Sequence, residues 1–252
     1  MSNAEEQVTQ SILCIPVQCE SIDALKILIV GKTNGEYLVA GNILMNSQTK
    51  NFFEIQFDEH DEQMQQAFTY AGKVTGISDS CLDQIADHNY VVYLISNDIG
   101  LEGARALADA GLAILKTAGL GVKVESAGKA FDRESWEQLV NDDEYDRLFD
   151  LFVIYSLTNE DGSVYSCGMH NLGYKDTIVY GEEFQDAASL IRIFCYYQLL
   201  EDPEIMPGQT FSPEVGAPVF VIEEESDPPY KDHDLFTNPF GMWKMERVGT
   251  DN

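Results

Sequence analysis

The chain has 252 residues, 44% of them hydrophobic, with 43 Asp and Glu against 15 Lys and Arg and a formal charge of −28. That apolar content suffices for a substantial core, so the acidity does not mark a disordered chain. It does argue against a nucleic-acid binder or an anionic-membrane binder, since both need clustered cations.

No apolar run reaches the ~20 residues that cross a bilayer. The start, residues 1–6, is polar and acidic rather than signal-like, and Ser2-Asn3-Ala4 is given no structural weight. The five cysteines, Cys14, Cys19, Cys81, Cys167 and Cys195, form no disulfide framework and read as reduced thiols of a cytoplasmic protein.

In chain order, residues 11–17, 25–30, 36–44 and 52–57 read as strands punctuated by Gly31, Gly35 and Gly41, an antiparallel meander. In the last of them Phe53, Ile55 and Phe57 alternate with Glu54, Gln56 and Asp58, the period of a half-buried strand. Helices are expected at 61–70 and 80–87. Residues 90–96 form a continuous apolar run of strand length, and 101–118 is the clearest helix, with small residues that let its backbone approach a sheet closely. There follow a strand at 121–125, acidic helices at 133–140 and 144–149, and a strand at 151–157. An Asn159-Glu160-Asp161-Gly162 hairpin turn, strands at 164–167 and 177–180, a helix at 185–200 and a strand at 219–224 complete the chain.

The expected fold class is α+β, with antiparallel sheets, packed helices and a second half on the ferredoxin-like βαββαβ plan, the two halves being possible relatives of one another. The expected division is a β-rich segment over residues 1–88 and an α+β domain over 89–252.

Four stretches invite a chemical reading. Gly31-Lys32-Thr33 follows an apolar run, but the earlier glycine of a phosphate-binding loop is replaced by Lys26, so a simple hairpin turn is expected. Ser166-Cys167-Gly168-Met169-His170 offers a thiol and an imidazole three residues apart. A zinc site would need further ligands, and the remaining cysteines and histidines are scattered. A structural turn with a buried thiol and a hydrogen-bonded imidazole is therefore preferred, with Cys167 as nucleophile and His170 as base the catalytic alternative.

Glu125 and Ser126 sit at the end of an expected buried strand, where an acid and a hydroxyl can join a catalytic group. The first glycine of a nucleophile elbow is missing, and a strand end with a capping Ser126 or Asp132 is the simpler account. The acidic runs, 58–62, 142–146, 201–204, 223–227 and 232–234, lack calcium-loop spacing. They read first as solvated faces and second as a docking surface for a basic partner.

The C-terminal part also carries Tyr165-Ser166-Cys167-Gly168-Met169-His170-Asn171-Leu172-Gly173, then Gly208-Gln209-Thr210-Phe211, then Asn238-Pro239-Phe240-Gly241-Met242-Trp243. With Gly121 to Gly128 and Trp136, this combination resembles a bacterial domain-of-unknown-function family marked by a Cys-Gly-Met-His stretch and an Asn-Pro-x-Gly-x-Trp ending. The resemblance covers roughly residues 89–247 and implies a single folding unit there; it implies no reaction. Asn238-Pro239-Phe240-Gly241 reads as a tight turn, with Phe240 and Trp243 anchoring the chain end.

The functional expectation is a non-enzymatic, adaptor-like or immunity-like protein that binds a basic protein partner, with no cofactor, no metal, no nucleic acid and no membrane. The alternative is a hydrolase using Cys167 or Ser126 as nucleophile, His170 as base and Glu125 as orienter.

Overall fold

The computed structural model describes residues 9–142, 145–231 and 233–249. Residues 1–6, Asp143, Glu144 and Asp232, all named above, lie outside the described residues. The chain divides into two compact units, Met1–Leu151 and Phe152–Asn252, each with its own sheet.

The first unit runs β1 (Ser11–Val17), α1 (Ile22–Lys32), β2 (Tyr37–Ala40), β3 (Ile43–Asn46), β4 (Phe52–Glu59), α2 (Met64–Ala71), α3 (Asp79–Ala86), β5 (Tyr90–Ser96), α4 (Leu101–Thr117), β6 (Gly121–Val124), β7 (Lys129–Asp132), α5 (Arg133–Val140) and α6 (Tyr145–Phe152). Its strands form an antiparallel sheet in the order β2-β3-β4-β5-β1-β6-β7. One face, with Leu13, Ile15, Leu44, Ile55, Val92, Leu94, Val122 and Val124, is buried, and α4 packs against β1, β5 and β6. The small residues of α4 allow that approach: a Cβ on Gly111 would lie 2.8 Å from Leu13 Cδ1. Trp136 of α5 closes the same layer, its indole N–H donating to the Ala108 carbonyl at 3.3 Å. The opposite face is covered around Cys14, Val91 and Ala130 by Met64, Phe68, Cys81 and Ile85 of α2 and α3.

Several expectations are corrected here. Residues 25–30 are helical, not a strand. Ser21 caps α1 by accepting from the Ala24 N–H at 3.1 Å, and Leu25 and Ile29, one turn apart, are buried; the apolar run Ile27 to Val30, which continues round the helix, masks this period. Gly31-Lys32-Thr33 is accordingly the end of that helix, with the Thr33 hydroxyl donating to the Ile29 carbonyl at 2.8 Å. The expected strand 36–44 is two strands, turning at Gly41, where φ is +62°. The division at 88/89 falls inside the first unit: β4 and β5, on either side of it, pair from Glu54↔Ile95 to Glu59↔Tyr90.

The second unit runs β8 (Ile154–Thr158), β9 (Val164–Cys167), a 3₁₀ turn (Met169–Leu172), β10 (Asp176–Tyr180), α7 (Phe184–Glu201), β11 (Thr210–Phe211), β12 (Phe220–Glu224) and β13 (Met242–Arg247). The sheet order is β11-β12-β13-β10-β9-β8, with β10 and β13 parallel. α7 packs on β8, β9 and β10 through Ala188, Ile191, Phe194 and Cys195.

The architecture is α+β, as expected. The ferredoxin-like arrangement does not form, because β5 and β6 belong to the first sheet while β8, β9, β10 and β12 belong to the second. The two sheets also differ in strand number and order, so the halves do not repeat one another. The Asn159 to Gly162 hairpin turn is present, with Gly162 at φ +85°, and Trp243 is buried as an anchor, whereas Phe240 is 42% exposed.

Candidate functional site

The four residues proposed for catalysis fall in different units. Glu125 and Ser126 open the turn between β6 and β7, in the first unit. Glu125 pairs with Lys123 at 2.8 Å, Ser126 has no exposed surface, and the turn closes through the Gly128 N–H donating to the Val124 carbonyl at 2.9 Å. Asp132, not Ser126, caps the following helix, accepting from the Ser135 N–H at 2.8 Å. Beside this hairpin Lys129 donates to the Asp150 carbonyl, and burial pulls its ammonium down to about 8.

Cys167 and His170 belong to the second unit. Cys167 ends β9 and is 1% exposed, in an apolar cluster with Ile178, Tyr230 and Met242. Burial, reinforced by the charge of Asp176, pushes its thiol well above the ordinary range. It is therefore protonated and a poor nucleophile at neutral pH. Gly168, at φ +114°, swings the chain into the 3₁₀ turn that carries His170. His170 is 1% exposed, its Nδ1 has no hydrogen-bond partner, and burial pulls its imidazolium down to about 4. No hydrogen bond joins Cys167 to His170 among the described residues.

The chemistry that this stretch does contain centres on Asp176, a residue the sequence reading passed over. Asp176 is fully buried at the start of β10. Its Oδ1 accepts from the Ser166 hydroxyl at 2.8 Å and the Met169 N–H at 3.3 Å, and its Oδ2 accepts from the Asn238 amide at 2.8 Å. Ser166 in turn accepts from the Thr177 N–H at 2.9 Å, and its carbonyl receives the Tyr230 hydroxyl at 2.9 Å. Burial outweighs these donors and raises the Asp176 carboxyl to about 6. The result is a polar knot joining β9, the 3₁₀ turn, β10 and the Asn238 turn. Its signal in the sequence was an acid at the head of an apolar strand, Asp176 before Thr-Ile-Val.

A different feature lies on the surface of the first unit. The register places Leu38, Met45 and Phe52 in one row across β2, β3 and β4. The next row holds Ala40, Ile43, Glu54, Ile95 and Ile12. Both rows share the face that α2 and α3 cover only from Cys14 onward. Phe52 is 70% exposed and Ile43 44%. Where β3, β4 and β5 end beside the start of α4, a cleft of ≈ 400 Å³ is lined by Ile43, Phe52, Ile95, Glu54, Asp98 and Gly103, among others.

Among the described residues no group of three His, Cys, Asp or Glu side chains is placed to hold a metal ion, and no helix is long and apolar enough to cross a membrane. Comparison with family models, with curated proteins and with solved structures finds no match to this chain.

Proposed function

We propose that this chain acts by binding a basic protein partner, in the manner of an adaptor or immunity protein, and that it belongs, on its motifs, with the bacterial family described above and works in the cytoplasm. The observation that carries the reading is uncompensated acid beside an open apolar face. Glu54 and Asp58 project from that face of β4, and Glu59, Asp61 and Glu62 follow; all are exposed, and none is in an ion pair among the described residues. Acid so placed raises the rate of encounter with a cationic surface and penalises anionic ones. The hydrolase reading has less support, because Cys167 and His170 are sealed from solvent and unconnected.

Capture on the immobilised chain from a bacterial lysate tests the reading. Raising ionic strength from ~0.1 M to ~1 M shortens the Debye length from ~10 Å to ~3 Å, so basic proteins held at low salt are expected to elute. Retention of acidic proteins, or retention indifferent to salt, contradicts it.

A further inference from the structure

Within the reading of a basic partner, on which this inference rests, we propose that the cleft between the ends of β3, β4 and β5 and the start of α4 is the docking point, and that it takes a Lys or Arg side chain projecting from an apolar segment of the partner. Three properties of the cleft select that occupant. First, its apolar wall of Ile43, Phe52 and Ile95 is partly exposed, which suits the methylene stem of a long cationic side chain as well as neighbouring apolar groups. Second, Glu54 and Asp98 line the same cleft, and neither is in an ion pair among the described residues. Glu54 only receives the Gln56 amide, at 2.9 Å. The cation that lines the cleft, Lys50, is turned back onto the Ser47 carbonyl at 2.5 Å. An anionic or purely apolar guest would leave the two carboxylates without compensation, whereas a cation satisfies them.

Third, the backbone that carries Asp98 is held in place by contacts within the unit. The Asp98 N–H donates to the Ser96 hydroxyl at 3.1 Å, and Gly103 lets the Asp98 backbone lie against α4, since a Cβ there would come within 2.1 Å of the Asp98 carbonyl oxygen. A preformed site loses little conformational entropy on binding. The row of Leu38, Met45 and Phe52 extends the contact beyond the cleft, across the half of the sheet face that α2 and α3 leave open.

Selection of a displayed random-peptide library on the full chain tests the proposal, followed by affinity measurement with synthetic copies of the enriched peptides. Enriched peptides should combine Lys or Arg with apolar residues. The Phe52→Asp variant and the Glu54→Gln/Asp98→Asn variant should each weaken binding by about tenfold or more, while Phe184→Asp, an exposed change in the second unit, should leave it unaltered. Circular dichroism confirms that each variant is folded, and the charge-only variant serves if Phe52→Asp is not. Basic peptides that bind all variants equally would overturn the cleft while leaving the basic-partner reading intact. Peptides without cations, binding unaffected by salt, or no enrichment at all would overturn both.

Discussion

Replacing His170 by Met should change how the second unit responds to acid, because burial disfavours the imidazolium. In the native chain burial holds the His170 imidazolium at about 4 against an ordinary 6.5. The unfolded chain therefore takes up a proton near pH 6.5 that the folded chain refuses until about pH 4. For a group depressed in this way, stability is fully present above pH 6.5 and is lost as pH falls toward 4. Between pH 7 and pH 5 the loss is ~2 kcal/mol, from 1.36 kcal/mol per pH unit over the ~1.5 units below 6.5.

Asp176 runs the other way. Raised to about 6 from 3.8, it contributes stability that is fully present at low pH and lost as pH rises through 6, so on acidification from pH 7 to 5 it returns ~1 kcal/mol. The two groups thus oppose one another within the second unit. His170→Met removes the titrating imidazole and leaves Asp176 in place. The stability difference between variant and wild type should accordingly grow by ~2 kcal/mol in the variant's favour between pH 7 and pH 5, whatever packing offset Met introduces at pH 7. Urea denaturation read by hydrogen exchange at the Asp176–Tyr180 amides isolates the second unit, and pH 5 stays above the pI of ≈ 4.2. A difference that is the same at both pH values would refute the burial argument, as would an NMR titration placing the His170 pKa near 6.5.

Ser166→Ala removes a donor to Asp176 and the acceptor of the Thr177 N–H. It should destabilise the second unit by ~1–3 kcal/mol at pH 7, and by less at pH 5, where Asp176 is mostly protonated; a deficit that grows on acidification contradicts the assignment. Ser21→Ala should lower stability of the first unit by ~1 kcal/mol through loss of the α1 cap, measurable by thermal denaturation and restored by Ser21→Asp. Thiol titration of the native chain should modify Cys19 alone, the only cysteine not buried, and all five after unfolding. Burial raises the Cys19 thiol above its ordinary value, so its labelling rate should still be climbing with pH where that of a free thiol has levelled off; prompt reaction of Cys167 would contradict its burial.

Fold class was legible in the sequence because alternation and run length are local. β4, β5, α4, α5, α7 and the Asp161-Gly162 turn all follow from patterns a few residues long. The errors arose where a local pattern is degenerate or a partner is remote. In the stretch Leu25 to Val30 every residue but Lys26 is apolar, so the helical period is poorly marked, and the capping Ser21 is its clearest sign. The break at 88 was misplaced because strand pairing is not written in composition: β1 sits between β5 and β6, which ties residues 11–17 to 90–96 and 121–124 across the supposed boundary. The buried thiol of Cys167 is as expected, whereas the hydrogen bond expected for the His170 imidazole does not form at Nδ1, and Asp176 and Asn238, which lie 62 residues apart, are joined only by the fold.

The same distinction bears on where function lies. The most chemically dense stretch of the sequence, residues 165–173, is used up in holding its own unit together. Ser166 and Met169 grip Asp176, Gly168 and Gly173 adopt left-handed angles, and nothing reactive faces outward. A dense motif is thus as well explained by the geometry needed to bury one carboxylate as by catalysis, since an acid without those donors would be far costlier to enclose. The cleft is the reverse case. Ile43, Glu54, Ile95 and Asp98 are individually unremarkable in sequence and belong to no motif, yet strand register brings them to one place and leaves their charge uncompensated. If a basic partner binds there, its recognition depends on the pairing of β3, β4 and β5, so changes that shift that register should abolish binding even when every cleft residue is retained.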